Sequence, residues 1–356
     1  MSASRRTHAR NESGSDSDWS VVETMTGDYT VVSVGGHQKD WIALRRAHLA
    51  HRVHLSSARN QPPVQIKRLI EHCSTERTAM DAEVYSLEGH LSWRLIIKPV
   101  PTAGNQCNAV QVWFADPSIP VKPERSIAGL IWDFKRQICL QPFESTIMSG
   151  REHLWEGTEE VSLSRLLSLG ARYDEYAETL ELLFASEYGQ RTQTHVTTPH
   201  YHGGLMRWQV NLVAKEPGVL VVWEDVSDVT PVETPTLEYI GLKTASIAGI
   251  NVAVIAPALG TLVMFLTPPP HWVNYIYRSA DVRVIHPDDI ENIQKAVASE
   301  HFGADATPPD SVSTDVRLLA TNGSYQSVTM SFHAYPGELG TGLVIGSFSN
   351  PANIDL

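Results

Sequence analysis

The stretch GGLMRWQVNLVAKEPGVLVVWEDVSD, residues 203–228, opens on a glycine turn and runs into a strand whose apolar residues alternate. It then crosses a Glu-Pro-Gly loop and ends in a short, strongly apolar strand followed by polar turn residues. Alternation with period two is the mark of a pleated strand with one covered face, so the stretch reads as a β-hairpin. The same layout occurs at GHLSWRLIIKPVPTAGNQCNAVQVWFADPS, 89–118, and at GSYQSVTMSFHAYPGELGTGLVIGSFSN, 323–350. The opening glycines Gly89, Gly204 and Gly323 are spaced by about the length of a small domain.

What precedes each hairpin also recurs. In the first unit WSVVET (19–24) and YTVVSV (29–34) flank Gly27-Asp28, a hairpin turn signal. Helices are expected at about 40–56 and 63–73, and a strand near 79–87. In the second, SIAGLIWDF (126–134) and QICLQPF (137–143) are paired strands. SLSRLLSLG and ARYDEYAETLELLFASEYG supply helices, and QRTQTHVTT a strand. In the third, NVAVIAPALGTLVMFLT is a hairpin, HWVNYIYRS and VIHPDDIENIQKAVASE are helical, and STDVRLLAT is a strand. Each unit reads β-β-α-α-β-β-β, which predicts an α+β fold: an antiparallel sheet of five or six strands with helices on one face. The expected domains are 18–118, 126–228 and 237–350, after a disordered tail at 1–17 that is polar and low in apolar residues. Between them, DPSIPVKPER and DVTPVETP are proline-rich spacers.

Totals narrow the function classes. The chain has 356 residues, 42% hydrophobic, and a net charge of −12. Such an acidic balance argues against non-specific binding to nucleic acid or anionic membranes. Cys73, Cys107 and Cys139 are odd in number and widely spaced, so they suggest neither a zinc site nor a disulfide framework. The uncharged run IAGINVAVIAPALGTLVMFL, 247–266, is long enough to span a bilayer. Pro257, Gly260 and the β-branched residues on both sides favour a buried hairpin instead. Arg5-Arg6 precedes no apolar run, so no secretion signal is expected and the location is expected to be cytoplasmic.

VIHPDD followed by an amphipathic helix resembles the HPDD element before the last helix of many PAS domains. STDVRLLATNGSYQSVTMSF resembles the strand, Asn-Gly turn and strand that follow it. AGLIWDF and RWQVNLVAKEPGVLVVWEDVSD resemble PAS in the second unit, which lacks an HPDD, and the first unit is equally open to a GAF-like variant. With DWSVVET near its start and three sensor-like units, the chain resembles the actinobacterial, mycobacterial-type proteins built from two PAS domains and one GAF-like domain, over about residues 18–350. The resemblance implies a signalling protein without an effector domain. It also implies structural roles for His286, Pro287, Asp288 and Asp289, with the aspartates capping the helix and Asp288 and Glu291 forming a capping box.

Other constellations carry weaker chemistry. Trp132, Trp155 and Tyr176 are candidate walls of a ligand pocket, Trp132 foremost, although core anchoring explains most tryptophans equally well. His195, His200 and His202 are weak metal candidates that also suit an exposed hairpin tip. His48, His51 and His54 lie three apart, suiting a partly exposed helix face better than a haem ligand set. No nucleophile elbow, phosphate-binding loop or zinc-protease motif is present, and no cofactor is implied. The expected function is therefore a sensor-only scaffold. It binds a small ligand or protein partners and relays a conformational change to a separate effector. One alternative is a ligand-free interaction scaffold; another is a metal-dependent enzyme on the His195/His200/His202 cluster. By analogy alone, PAS-like sheets suggest a homodimer.

Overall fold

The protein is described here by a computed structural model that covers residues 18–44, 46, 62–85, 92–155, 157–185, 187–233, 237–275, 282–298, 311–335 and 342–351. The expected tail at 1–17, the triplet His48, His51 and His54, and residues 276–279 of the expected helix at 271–279 lie outside these.

The chain is a sheet-dominated α+β protein built on three antiparallel sheets. The first contains β1 (Ser20–Glu23), β2 (Thr30–Val34), β3 (His37–Ala43), β4 (Met80–Tyr85), β5 (Ser92–Pro99) and β6 (Ala109–Ala115), in the order β3-β2-β1-β6-β5-β4. Helix α1 (Pro62–Glu76) packs on β4 and β5 and buries Ile66, Ile70 and Cys73. The β1–β2 turn is organised by the fully buried Glu23 carboxylate. It accepts from the Thr26 and Thr30 backbone N–H groups and from both hydroxyls. A buried charge needs that degree of hydrogen bonding to be tolerated.

The second sheet comprises β7 (Ile127–Asp133), β8 (Ile138–Leu140), β9 (Glu160–Ser162), β10 (Arg172–Tyr173), β11 (Arg191–Pro199), β12 (Leu205–Lys215) and β13 (Gly218–Asp225), in the order β10-β11-β12-β13-β7-β8-β9. Its helices are α2 (Phe143–Met148), α3 (Leu163–Ser168) and α4 (Tyr176–Ala185), with a 3-10 turn at Glu152–Leu154. The third sheet is introduced by α5 (Leu237–Ile247). It contains β14 (Ile250–Ala256), β15 (Thr261–Phe265), β16 (Val312–Leu319), β17 (Tyr325–Ala334) and β18 (Val344–Ser349), in the order β15-β14-β18-β17-β16, with α6 (Pro287–Val297) before β16.

One plan underlies all three. In each sheet the last strand pairs with the first, so that the two opening strands lie on one side and the three closing strands on the other. The first sheet adds β3 at one edge, and the second adds β9 and β10 at its two edges. The uncharged run at 247–266 forms the β14–β15 hairpin, turned by Pro257–Leu259 and by Gly260 in the left-handed region (φ 61°). Among the described residues, no helix is long and apolar enough to cross a membrane.

Several expected elements differ. A helix was expected from residue 40, but residues up to Ala43 continue the edge strand β3. His271–Tyr275 forms a turn in which Val273 bridges Ala320, rather than a helix. The helices α2 and α5 and the short strands β9 and β10 were not expected at all. The chain divides into two compact units. Among the described residues, those up to Pro99 together with Ala109–Arg125 form one compact unit, and Val100–Asn108 with those from Ser126 onward form another. In the second unit the core of the middle sheet runs into Val254, Ala256, Val263, Met264 and Leu343 of the third. The reason is compositional: α3 and β15 are apolar enough to bury surface on more than one side.

Within this unit, the Asn108 side-chain amide donates to the carbonyls of Leu130 (2.8 Å) and Val221 (2.9 Å), tying the 100–108 segment to β7 and β13. Close backbone approach is required at Gly218, where an added Cβ would stand 2.2 Å from the Trp132 carbonyl oxygen. Gly218→Ala is therefore expected to destabilise the protein by roughly 2 kcal/mol or more, read as a lowered chemical-denaturation midpoint.

Candidate functional site

The middle sheet carries different chemistry on its two faces. Along β12, Met206, Trp208, Val210 and Leu212 alternate with Arg207, Gln209 and Asn211, and all of them are buried. On the polar face, Arg207 donates to the Thr197 hydroxyl (3.0 Å) and pairs with Asp174. Asn211 accepts from the Gln193 amide at 2.7 Å. A charged group so deeply placed needs such partners.

The apolar face forms a cavity of about 120 Å³ with α2, α3 and α4. Its sheet wall includes Leu130, Trp132, Val196, Trp208, Val210 and Leu212, and its helix wall includes Leu163, Leu166, Leu167 and Leu183. Trp132 is locked by packing against Phe184 and by its indole N–H reaching the Leu183 carbonyl (3.4 Å). Trp155 closes another part of the wall and meets Phe143 edge-on, with ring centroids 5.5 Å apart. Polar groups also reach the lining: Ser, Thr and Gln side chains, Cys139, Tyr173, Arg151, Arg165 and Glu160. Burial alone raises the Cys139 thiol pKa far above its usual value, so the group stays protonated. Burial also raises Tyr173, whose hydroxyl donates to the Leu167 carbonyl at 2.8 Å. Burial lowers the pKa of Arg151, and the Arg165 charge lowers it further. Glu160 is engaged by Arg136.

Of the residues singled out from sequence, Trp132 and Trp155 line this cavity. Tyr176 does not. It starts α4, its ring meets Tyr173 edge-on at 4.8 Å, and its hydroxyl faces the Met264 sulfur. It serves the junction with the third sheet instead. The lining residues Arg151, Trp208 and Leu183 were missed. Alternation along β12 could have found Trp208, whereas Arg151 lies in an irregular stretch with no periodicity to read.

The histidine cluster does not assemble. His195 sits in the β11 ladder opposite Gln209, half-buried, its pKa lowered by burial and then by the Arg207 charge. His200 and His202 lie in the β11–β12 turn, and the His200 Nδ1 accepts from the His202 backbone N–H at 3.3 Å. Among the described residues, no group of three His, Cys, Asp or Glu side chains is placed to hold a metal ion.

The HPDD stretch is also arranged differently from expectation. The cap of α6 is His286, whose Nδ1 accepts from the Asp288 N–H at 3.2 Å, with Pro287 at the first helical position. Asp288 is exposed. The Glu291 side chain pairs with Lys295 at 2.6 Å instead of closing a capping box. Asp289 is buried. It accepts from the Arg317 backbone N–H (2.7 Å) and the Arg317 guanidinium (2.7 Å to Nη2), pinning α6 to β16. Proline at the first helical position commits the cap to His286, which leaves Asp289 facing the sheet.

Residues 18–123 match the family described as Rv3651-like, N-terminal. No match was found among curated proteins. The fold is similar to that of an uncharacterized protein from Mycobacterium tuberculosis solved by crystallography, with a TM-score of 0.75 at 16% identity over 94% of this chain and 97% of that one. An RNA-binding Light-Oxygen-Voltage receptor is also matched, at 14% identity over 94% of this chain and 95% of that one, but its TM-score of 0.19 carries no weight. The family match spans the first sheet, and the likeness to the Mycobacterium tuberculosis protein is one of fold.

Burial opposes ionisation of Asp289, but the hydrogen bonds and charge of Arg317 outweigh it and hold the pKa below its ordinary value of 3.8. A carboxylate with a depressed folded pKa contributes stability that is present above its unfolded pKa and is lost as pH falls through the folded one. Asp289→Ala is expected to lower stability at neutral pH by about 1.5–3 kcal/mol. The gap between wild type and variant should narrow in thermal melts taken from about pH 4 downward.

Proposed function

We infer that this protein is a sensor-type signalling scaffold: a small molecule binds in the middle-sheet cavity, and the change is passed through α3 to the third sheet and outward to a separate protein. The tandem PAS/GAF-like reading of the three sheets belongs to this proposal. It is supported by their shared strand plan, in which the last strand pairs with the first. The observation that carries the functional reading is the position of α3. Leu163, Leu166 and Leu167 line the cavity. The same short helix packs against β15, with Leu163 and Leu167 in one cluster with Val263 and Met264.

Its N-terminus is fixed to the third domain by polar contacts as well. The Ser162 hydroxyl caps α3, accepting from the Arg165 N–H at 3.3 Å, and donates to the Tyr275 carbonyl at 3.0 Å. The Ser164 hydroxyl donates to that same carbonyl at 3.2 Å. Any ligand that favours one position of α3 thereby biases the arrangement at β15, which is the differential interaction a population shift requires. By this reading the metal-dependent enzyme is set aside, because the three histidines do not converge.

A ligand found by thermal-shift screening is expected to change amide exchange in β15 as well as in α3, measured by hydrogen exchange with mass spectrometry. Val210→Phe, which fills the cavity from its sheet wall, should abolish the ligand-induced shift. Ser162→Ala should preserve binding while weakening the response in β15. Binding with no change in β15 would defeat the relay.

A further inference from the structure

Three charged side chains, Arg151, Glu160 and Arg165, reach the cavity lining. Arg151, just before the 3-10 turn, and Arg165 on α3 both reach the lining, close enough for one charge to act on the other. The carboxylate on the lining, Glu160, already faces Arg136. Arg151 is half-buried. Its guanidinium donates to the Pro199 carbonyl at 3.0 Å, a neutral acceptor, and it has no carboxylate partner among the described residues. A second donor lies on the same lining. The Trp208 side chain is buried and lines the cavity, and its indole N–H has no acceptor among the described residues. The ladder relates the two donors: Thr198, next to Pro199, pairs with Met206, two residues from Trp208 on the same face of β12.

A buried N–H without an acceptor and a desolvated guanidinium without an anion each carry a free-energy penalty that a suitable acceptor would relieve. Both ask for the same chemistry, an anionic oxygen pair at the rim of an apolar chamber. A dry apolar cavity of about 150 Å³ accommodates a benzene-sized molecule, which sets the scale for the remainder. We propose that the cavity selects a small organic acid, a single ring or short chain of about six to ten heavy atoms, whose carboxylate lies at Arg151 and the Trp208 indole while its apolar body lies between Trp132 and the α3 leucines. This deepens the ligand-binding reading above and rests on it.

The test compares matched pairs on the full chain by calorimetry: benzoate against benzamide, and hexanoate against hexanamide. The acids are expected to bind more tightly than the amides by about tenfold or more, and less tightly as salt is raised. Arg151→Gln should erase the preference by weakening acid binding far more than amide binding, and Arg151→Lys should restore part of it. Val210→Phe should remove binding of acid and amide alike. Equal binding of acid and amide, or a preference that survives Arg151→Gln, overturns the carboxylate assignment while leaving a ligand-binding cavity. Acid binding that survives Val210→Phe places the anion elsewhere and overturns it too. If neither acids nor amides bind, the assignment falls together with the reading it rests on.

Discussion

The packing of α3 on both of its sides is the constraint on which the second unit depends. Six residues cannot hold a helix on propensity alone, since a single turn or two is marginal in water. This one persists because Leu163 and Leu167 enter a core shared with β15 and because Ser162 caps it while hydrogen-bonding to Tyr275. The leucines hold the wall of the cavity against β15, and the Ser162 contacts tie the start of that wall to the third sheet. That coupling distinguishes this unit from a row of independent modules, in which each pocket would be closed by helices of its own.

The second organising feature is the pairing of terminal strands. In each sheet the chain lays down two strands, leaves through helices, and returns to insert its last strand beside its first. This brings β13 against β7 and β18 against β14, and in the middle sheet the central pair β7 and β13 is strongly apolar and largely buried on both faces. In the middle sheet the helices α2, α3 and α4 all belong to the excursion between β8 and β11. In the middle sheet that layer is made of short helices and irregular segments, and irregular segments fill space less completely. The cavity lies among them.

Much of this was legible in the chain itself. The three late hairpins announced themselves through alternation and glycine turns, and the early strand pairs through β-branched runs such as Thr30–Val34 and Ile250–Ala256. What escaped notice shares a physical character. The strands β9 and β10 are three and two residues long, and α2 has six, so none can display a period. The edge strand β3, HQKDWIA, is polar and largely exposed, and it lacks the alternation that a covered face imposes. Of the site, Trp132 was visible as an aromatic on a central strand, but Tyr176 meets Tyr173 and the Met264 sulfur instead of the cavity. At the HPDD stretch the sequence disclosed a capped helix without disclosing who caps it. The histidine ring and the two carboxylates are all competent acceptors, and only the approach of Arg317 from β16 separates their tasks.

Cys139 gives the cavity a property independent of what binds there. Its thiol lies on the lining, wholly desolvated and held in the neutral form. Oxidants and electrophiles attack the thiolate, so the chamber keeps its shape and chemistry through redox swings that would modify an exposed cysteine. The sulfur is met by whatever enters the chamber, and a bound ligand is expected to slow its labelling by a small alkylating reagent.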